Sequence, residues 1–161
     1  MAAKEGKIHV LEFNASSEYT LDKRRVISIN GYNATFGPEI RVKSGDTLNL
    51  KLTNWICSEE EASKDSDVWK DYCSTALHFH GVVPLANEFD GIPGLTQPTI
   101  GYGESYWYNF TIDQSTCGTF WYHSHSSVQY GDGMRGVLII ECDDYDNHVA
   151  NTINSVRDIE T

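Results

Sequence analysis

The chain has 161 residues, enough for one domain with a real core, and no stretch long or apolar enough to span a membrane. Its 40% hydrophobic content, with four Trp, nine Tyr and six Phe, excludes disorder for the middle of the chain. With 23 acidic residues against 12 basic ones the net charge is −11, and the lack of any basic patch excludes nucleic acid as an expected partner.

Lys7 to Phe13 alternates weakly, with Ile8 and Val10 on one side, and predicts a first strand. Glu18 to Arg24 is polar and turn-like. Arg25 to Asn30 reads as a second strand, stopped by the strong turn pair Asn30-Gly31. Asn33 to Pro38 continues as loop, and Glu39 to Lys43 is a short strand ended by Ser44-Gly45-Asp46. Thr47 to Thr53 alternates cleanly, so Leu48, Leu50 and Leu52 should face the core while Asn49 and Lys51 face water.

Ile56 to Asp71 is an acidic insertion carrying Glu59, Glu60, Glu61, Asp65, Asp67 and Asp71. It is read as a solvated loop with some helix, in preference to an iron or calcium site. Cys57 and Cys73 bracket this insertion, and a bridge between them would close a short loop and add roughly 3 kcal/mol. That pairing is preferred. With Cys117 and Cys142, however, three full pairings are open, and four buried thiols are the alternative.

Thr75 to Gly81 is the next strand, followed by a Gly- and Pro-rich loop over Pro84 to Thr99. Glu104 to Ile112 alternates, placing Tyr106, Tyr108, Phe110 and Ile112 on one face. Gly118 to His123 is a strand, Ser126 to Arg135 a glycine-containing loop, and Gly136 to Glu141 a nearly continuous apolar run suited to a sandwich core. Seven or eight short strands between turns make an all-β, antiparallel β-sandwich, a single domain over 1–142. The remainder, 143–161, is an acidic and polar tail or interdomain linker, with Val149, Ile153 and Val156 at helical spacing.

Asn14-Ala15-Ser16, Asn33-Ala34-Thr35 and Asn109-Phe110-Thr111 are glycosylation sequons, which favour a secreted or cell-surface glycoprotein. Met1 to Gly6 carries no apolar signal region, so a processed start and a cytoplasmic chain stay open as alternatives.

Four of the six histidines fall in two pairs, His78-Phe79-His80 and His123-Ser124-His125. A strand has period two, so both histidines of each pair share a face. Two such strands side by side would converge four imidazoles on one spot, a metal-binding constellation. Imidazole suits copper, zinc, iron and nickel. No carboxylate interrupts either pair, which weighs against a carboxylate-bearing iron site, whereas zinc with four imidazoles remains open. Phe79, Trp121 and Tyr122 are read as core and wall, Ser124 as a spacer on the opposite face, and Gly81 as permitting close approach of a second metal or domain. Met134 and Cys117 are the soft ligands a blue-copper site would want. Yet Cys117 precedes His123 by six residues instead of following a histidine in a closing loop, so it is read as a disulfide or buried thiol.

Leu77-His78-Phe79-His80-Gly81, Phe89-Asp90-Gly91-Ile92-Pro93, Gly118 to His125 and Gln129 to Gly136 together resemble the first cupredoxin domain of multicopper oxidases, nearest the fungal ferroxidase and laccase branch. The resemblance runs from Lys7 to Glu141 and implies a Greek-key, cupredoxin-like sandwich. It implies copper as cofactor. His78 resembles a ligand of the type 2 ion, His80 and His123 ligands of one type 3 ion, and His125 a ligand of its partner. Asp90 is similar to an acid that helps supply protons for oxygen reduction, a turn-capping carboxylate being the plainer reading. By this likeness the chain supplies half of a trinuclear cluster that reduces dioxygen to water.

The chain also departs from the family. A complete cluster needs eight histidines from two domains, and the His-Cys-His segment that serves blue copper is absent. Thr96-Gln97-Pro98-Thr99-Ile100 lacks the cysteine that many relatives carry between Gln and Pro. The implied partners are therefore further cupredoxin domains, of the same oxidase or of a partner chain, and the chain alone is expected to be inactive as an oxidase. The reducing substrate, ferrous iron or phenols, is left open. The rival reading is a free-standing, non-enzymatic copper-binding cupredoxin for storage or delivery.

Overall fold

A computed structural model describes residues 6–31, 36–83 and 87–142. The sequon at Asn33, the start of the Pro84 loop and the 143–161 tail lie outside the described residues. In chain order the strands are β1 (Ile8–Tyr19), β2 (Arg25–Ile29), β3 (Ile40–Lys43), β4 (Thr47–Trp55), β5 (Leu77–His80), β6 (Ser105–Thr111), β7 (Gly118–Ser124) and β8 (Arg135–Glu141). Two short helices, α1 (Glu59–Ala62) and α2 (Asp67–Tyr72), fall inside the acidic insertion, as its reading as loop with some helix expected.

The strands form two four-stranded sheets, ordered β2-β1-β4-β6 and β3-β8-β7-β5. The expected sandwich is present, with one correction to its antiparallel reading. The β1–β4 and β3–β8 ladders are parallel, while β1–β2, β4–β6, β5–β7 and β7–β8 are antiparallel. Hairpin logic alone gives antiparallel neighbours. Here the chain crosses to the other sheet between β2 and β4 and returns in the direction of β1.

Leu48, Leu50 and Leu52 are buried, as the alternation of β4 requires. Tyr108, Phe110 and Ile112 pack beneath the same face, with Tyr106 partly buried beside them. The other sheet contributes Phe79, Tyr122, Leu138 and Ile140 to the core. Phe79 meets Phe110 with ring centroids 4.9 Å apart and Tyr108 at 5.6 Å, so the aromatic content sits between the sheets.

β1 runs longer than the sequence suggests, reaching Tyr19, and the side bearing Ile8 and Val10 faces outward. Ile8 and Val10 are 64% and 60% exposed, whereas Phe13 and Ala15 are core. The register with β4 explains this. Phe13 lies beside Leu52 and Leu11 beside Leu50, so the inward leucines of β4 force the odd-numbered residues of β1 inward too.

The insertion is fastened at both ends. Cys57 and Cys73 are bridged, as preferred, and Cys117 is bridged to Cys142. Arg25 forks onto Glu61 at 2.9 and 3.2 Å, donates to the Ile56 carbonyl, and lies over the Tyr72 ring at 5.0 Å. Asn54, fully buried, donates to the carbonyls of Cys73 and Ile100. The chain therefore leaves the sandwich at Trp55 and returns at Thr75 along a fixed path, and the strand that follows carries the first histidine pair.

Candidate metal centre

β5 and β7 are neighbours in antiparallel register, with Leu77 opposite Ser124, His78 opposite His123 and His80 opposite Trp121. Buried Leu77 and Phe79 fix which face of β5 goes into the core. Tyr122 and Ser124 do the same for β7. Strand alternation then forces both histidine pairs onto the other face.

The ring centroid of His78 stands 5.7 Å from His80, 5.3 Å from His123 and 5.7 Å from His125. His80 and His123 are 5.6 Å apart, and His123 and His125 are 6.2 Å apart. All four imidazoles do converge. Ligand nitrogens of His78, His80 and His123 lie within 4.8 Å of one another, close enough to hold one ion among the described residues. His125 flanks this trio at the end of the strand and is exposed, as is His80.

Two rings have their roles fixed by backbone. His78 Nδ1 donates to the Asp90 carbonyl at 2.5 Å, and His123 Nδ1 donates to the Ser124 carbonyl at 2.9 Å. Each contact selects the tautomer that leaves Nε2 as the free lone pair. His123 Nε2 lies 3.4 Å from His80 Nδ1, the edge at which the two strands' rings meet. Burial pushes the His123 imidazole below the ordinary histidine value. Its Ser124 bond opposes this, and the neighbouring His78, His80 and His125 push it down further. A ring kept neutral in this way is ready to coordinate.

Trp121 is the wall of the site. Its ring stacks on His123 at 4.2 Å and lies 5.1 Å from His80. Tyr130 approaches His123 from the following loop at 5.8 Å. Asp90, the sequence candidate for an acid, does reach the site, with its carboxylate 3.4 Å from His78 Nδ1. Gly81 follows the first pair in a positive-φ turn (85°), where an added Cβ would meet the Phe120 ring at 2.9 Å. That need alone accounts for glycine there.

The soft ligands considered for blue copper are elsewhere. The Cys117 thiol is consumed in its disulfide, and Met134 is wholly buried with its sulfur 3.4 Å from the Thr75 hydroxyl. His9 pairs with Asp46 at 2.7 Å and takes no part in the cluster. Trp121 forms the wall that its reading expects, while the approach of Tyr130 is a contact that the sequence does not announce. The i, i+2 spacing of Trp121 and His123 was the available signal for the first. For the second, a glycine-rich loop offers no period to read.

The donor set fits copper: imidazoles only, two with fixed tautomers, and no carboxylate in the trio.

Comparisons with known proteins agree with the site. The multicopper oxidase family model matches residues 71–144, which contain both histidine pairs. The chain is 99% identical over 161 residues to GMC1 of Saccharomyces cerevisiae, provisionally named a multicopper oxidase, covering 100% of this chain and 26% of that protein. It is 46% identical over 120 residues to the iron transport multicopper oxidase FET3 of Candida albicans, covering 73% of this chain and 17% of that one. Among solved structures, Fet3p, a multicopper oxidase that functions in iron import, superposes with a TM-score of 0.69 at 34% identity, over 87% of this chain and 24% of that one. The laccase of Botrytis aclada gives 0.67 at 32% identity, over 86% and 23%. The chain thus spans about a quarter or less of the length of these relatives. A family model lying over the histidine pairs, near-identity along the whole chain and a shared cupredoxin sandwich lead to one conclusion: this chain belongs to the multicopper oxidases.

Proposed function

We propose that the chain, with 1–142 as its domain and 143–161 as an acidic tail or interdomain linker, is the part of a larger oxidase that supplies half of a trinuclear copper cluster for reducing dioxygen to water. The observation that carries this reading is the convergence of His78, His80, His123 and His125 on an open face, with His80 and His125 exposed. Rings held on a surface in this way are half-enclosed and suit a metal site completed by a second domain. His78 would serve a type 2 ion, His80 and His123 one type 3 ion, and His125 the other.

Bound copper would supply the one-electron steps of oxygen reduction. The chain's own residues bind and orient. The carbonyls of Asp90 and Ser124 hold the His78 and His123 rings so that Nε2 faces outward. Trp121 covers one side of His80 and His123 and keeps water from it. Asp90, with its carboxylate beside His78 and partly open to solvent, is positioned to pass a proton between water and the cluster.

The reading places the protein in a secreted or cell-surface setting. Two disulfides support this, because such bonds persist in oxidising compartments. Asn14 and Asn109 are exposed, so both sequons can carry glycans on the folded domain. The reducing substrate is bound by other domains in this scheme, and the chain alone turns over neither ferrous iron nor phenols.

The test is copper titration of the 161-residue chain against a competing chelator. At least one equivalent should bind at micromolar metal. A chain that stays copper-free there sinks the proposal, and oxidase turnover by the chain without further domains sinks the claim that it is incomplete.

A further inference from the structure

Gln129 is wholly buried in the loop after the second histidine pair, and all its hydrogen-bonding positions are used. Its Nε2 donates to the Tyr72 carbonyl at 2.7 Å and to the Ser74 carbonyl at 2.8 Å. Its Oε1 accepts from the Thr75 hydroxyl at 2.8 Å and from the Ser124 hydroxyl at 2.5 Å. A carboxamide has two donor hydrogens and two acceptor lone pairs, so nothing is left over.

These four partners come from three places. Tyr72 and Ser74 flank Cys73, the end of the insertion closed by the Cys57–Cys73 bridge. Thr75 leads into β5, three residues before His78. Ser124 lies between His123 and His125, facing away from them. The Ser124 hydroxyl also accepts from the Ser126 backbone N–H at 3.1 Å, where the chain leaves the site. The His125 backbone N–H donates to the Ala76 carbonyl at 3.1 Å, which ties the two histidine strands together one step beyond the ladder.

We infer that Gln129 is a positioning residue for the metal centre: from behind the sheet, its carboxamide sets the strand bearing His123 and His125 against the strand bearing His78 and His80, and the disulfide-closed insertion is its anchor. This inference rests on the copper-binding reading above and deepens it. Neither histidine pair touches Gln129. It acts through Ser124 and Thr75, and it fixes the relative placement of the two pairs more than the orientation of any single ring. A buried amide with every partner paired is a rigid, high-stakes connection, since replacing it leaves two carbonyls and two hydroxyls to find other partners.

The experiment compares the wild-type 161-residue chain with Q129M, S124A and the double variant, each checked for folding by near-ultraviolet circular dichroism. Copper(II) affinity is measured by chelator competition, the paramagnetic resonance spectrum of the bound ion is recorded, and amide hydrogen exchange is followed without metal. Losing a residue that orients metal ligands lowers affinity by roughly 10–100-fold, and Q129M should fall in that range with a changed copper spectrum. S124A should lose less. The double variant should be no weaker than Q129M alone, because both changes break one connection. Without metal, the His125 amide should exchange faster in Q129M, while β1 and β4 amides keep their wild-type rates.

A folded Q129M with wild-type affinity and spectrum overturns the inference, as does simple additivity of the two substitutions. Should Q129M not fold, S124A decides. A several-fold affinity loss with a faster His125 amide upholds the inference, and wild-type values of both overturn it. Failure of the wild-type chain itself to bind copper is a separate outcome that overturns the function proposed above.

Discussion

His78 and His123 are register partners across the β5–β7 ladder, and their rings stand 5.3 Å apart on the face turned away from the core. Each uses Nδ1 on a backbone carbonyl, so both present the same ring atom to the space between them. Replacing either by alanine should weaken copper(II) binding beyond the roughly 10–100-fold cost of losing a residue that only orients a ligand. Neither change should lower the melting temperature of the metal-free chain by more than a few degrees, because the core lies on the opposite side of the sheet. Chelator competition and a thermal melt in metal-free buffer check both halves.

Trp121 should report on occupancy. Its ring is stacked on His123 at 4.2 Å and is next to His80, so a paramagnetic ion on those rings quenches its fluorescence. Copper(II) titration should reduce emission in step with binding, and W121F should abolish most of the change among the four tryptophans. Undiminished quenching in W121F would show that copper sits somewhere else.

Acid should loosen the start of β1. Asp46 is buried and accepts from the backbone N–H groups of Lys7 and Lys43 and from the His9 ring. Burial pushes its carboxyl up, but the Lys43, His9 and Lys7 contacts together outweigh that and hold it below the usual carboxylate range. A carboxyl depressed on folding adds stability that is complete above its unfolded value, about pH 4, and is lost as pH falls through the lower folded one. Denaturant midpoints measured from neutral pH downward should therefore hold until about pH 4 and then drop. D46N should flatten that drop and cost about 2 kcal/mol at neutral pH, since an amide cannot accept all three bonds.

The Cys57–Cys73 bridge should contribute more to the fold than its exposed surroundings suggest. The bonded cysteines are 16 residues apart in sequence, which in the chain-entropy view corresponds to about 3 kcal/mol. For a chain of this size, replacing both by serine should lower the melting temperature by about 6–12 °C. The loss should be accompanied by freer exchange of α2 amides, because the insertion would then be held by hydrogen bonds such as those of Arg25, Asn54 and Gln129, without a covalent closure.

Much of this site was legible because period-two spacing is a strong signal. His-x-His in an apolar run tells which side chains share a face, and buried Phe79 and Tyr122 settle which face it is. The same rule leaves β1 half read. Alternation there groups Ile8 with Val10 correctly, but only the parallel register with β4 decides that their side meets solvent. Parallel pairing is set by a chain crossing between sheets, and no short window of sequence contains it. The preferred Cys57–Cys73 bridge was readable from a short loop. Cys117–Cys142 was not, because it joins the beginning of β7 to the chain beyond the end of β8, which become neighbours only after the sheet forms. Polar residues in irregular segments, Gln129 above all, carry no periodic signature whatever.

β5 is four residues long and lies at the outside of its sheet, with β7 as its one ladder partner among the described residues. Such a margin frays first in a bare chain. An ion gripped by His80 on one strand and His123 on the other would act as a rivet through that margin. Metal supply and mechanical endurance then become the same variable: at a hundredfold excess over its dissociation constant, the ion would add about 2.7 kcal/mol to the folded state.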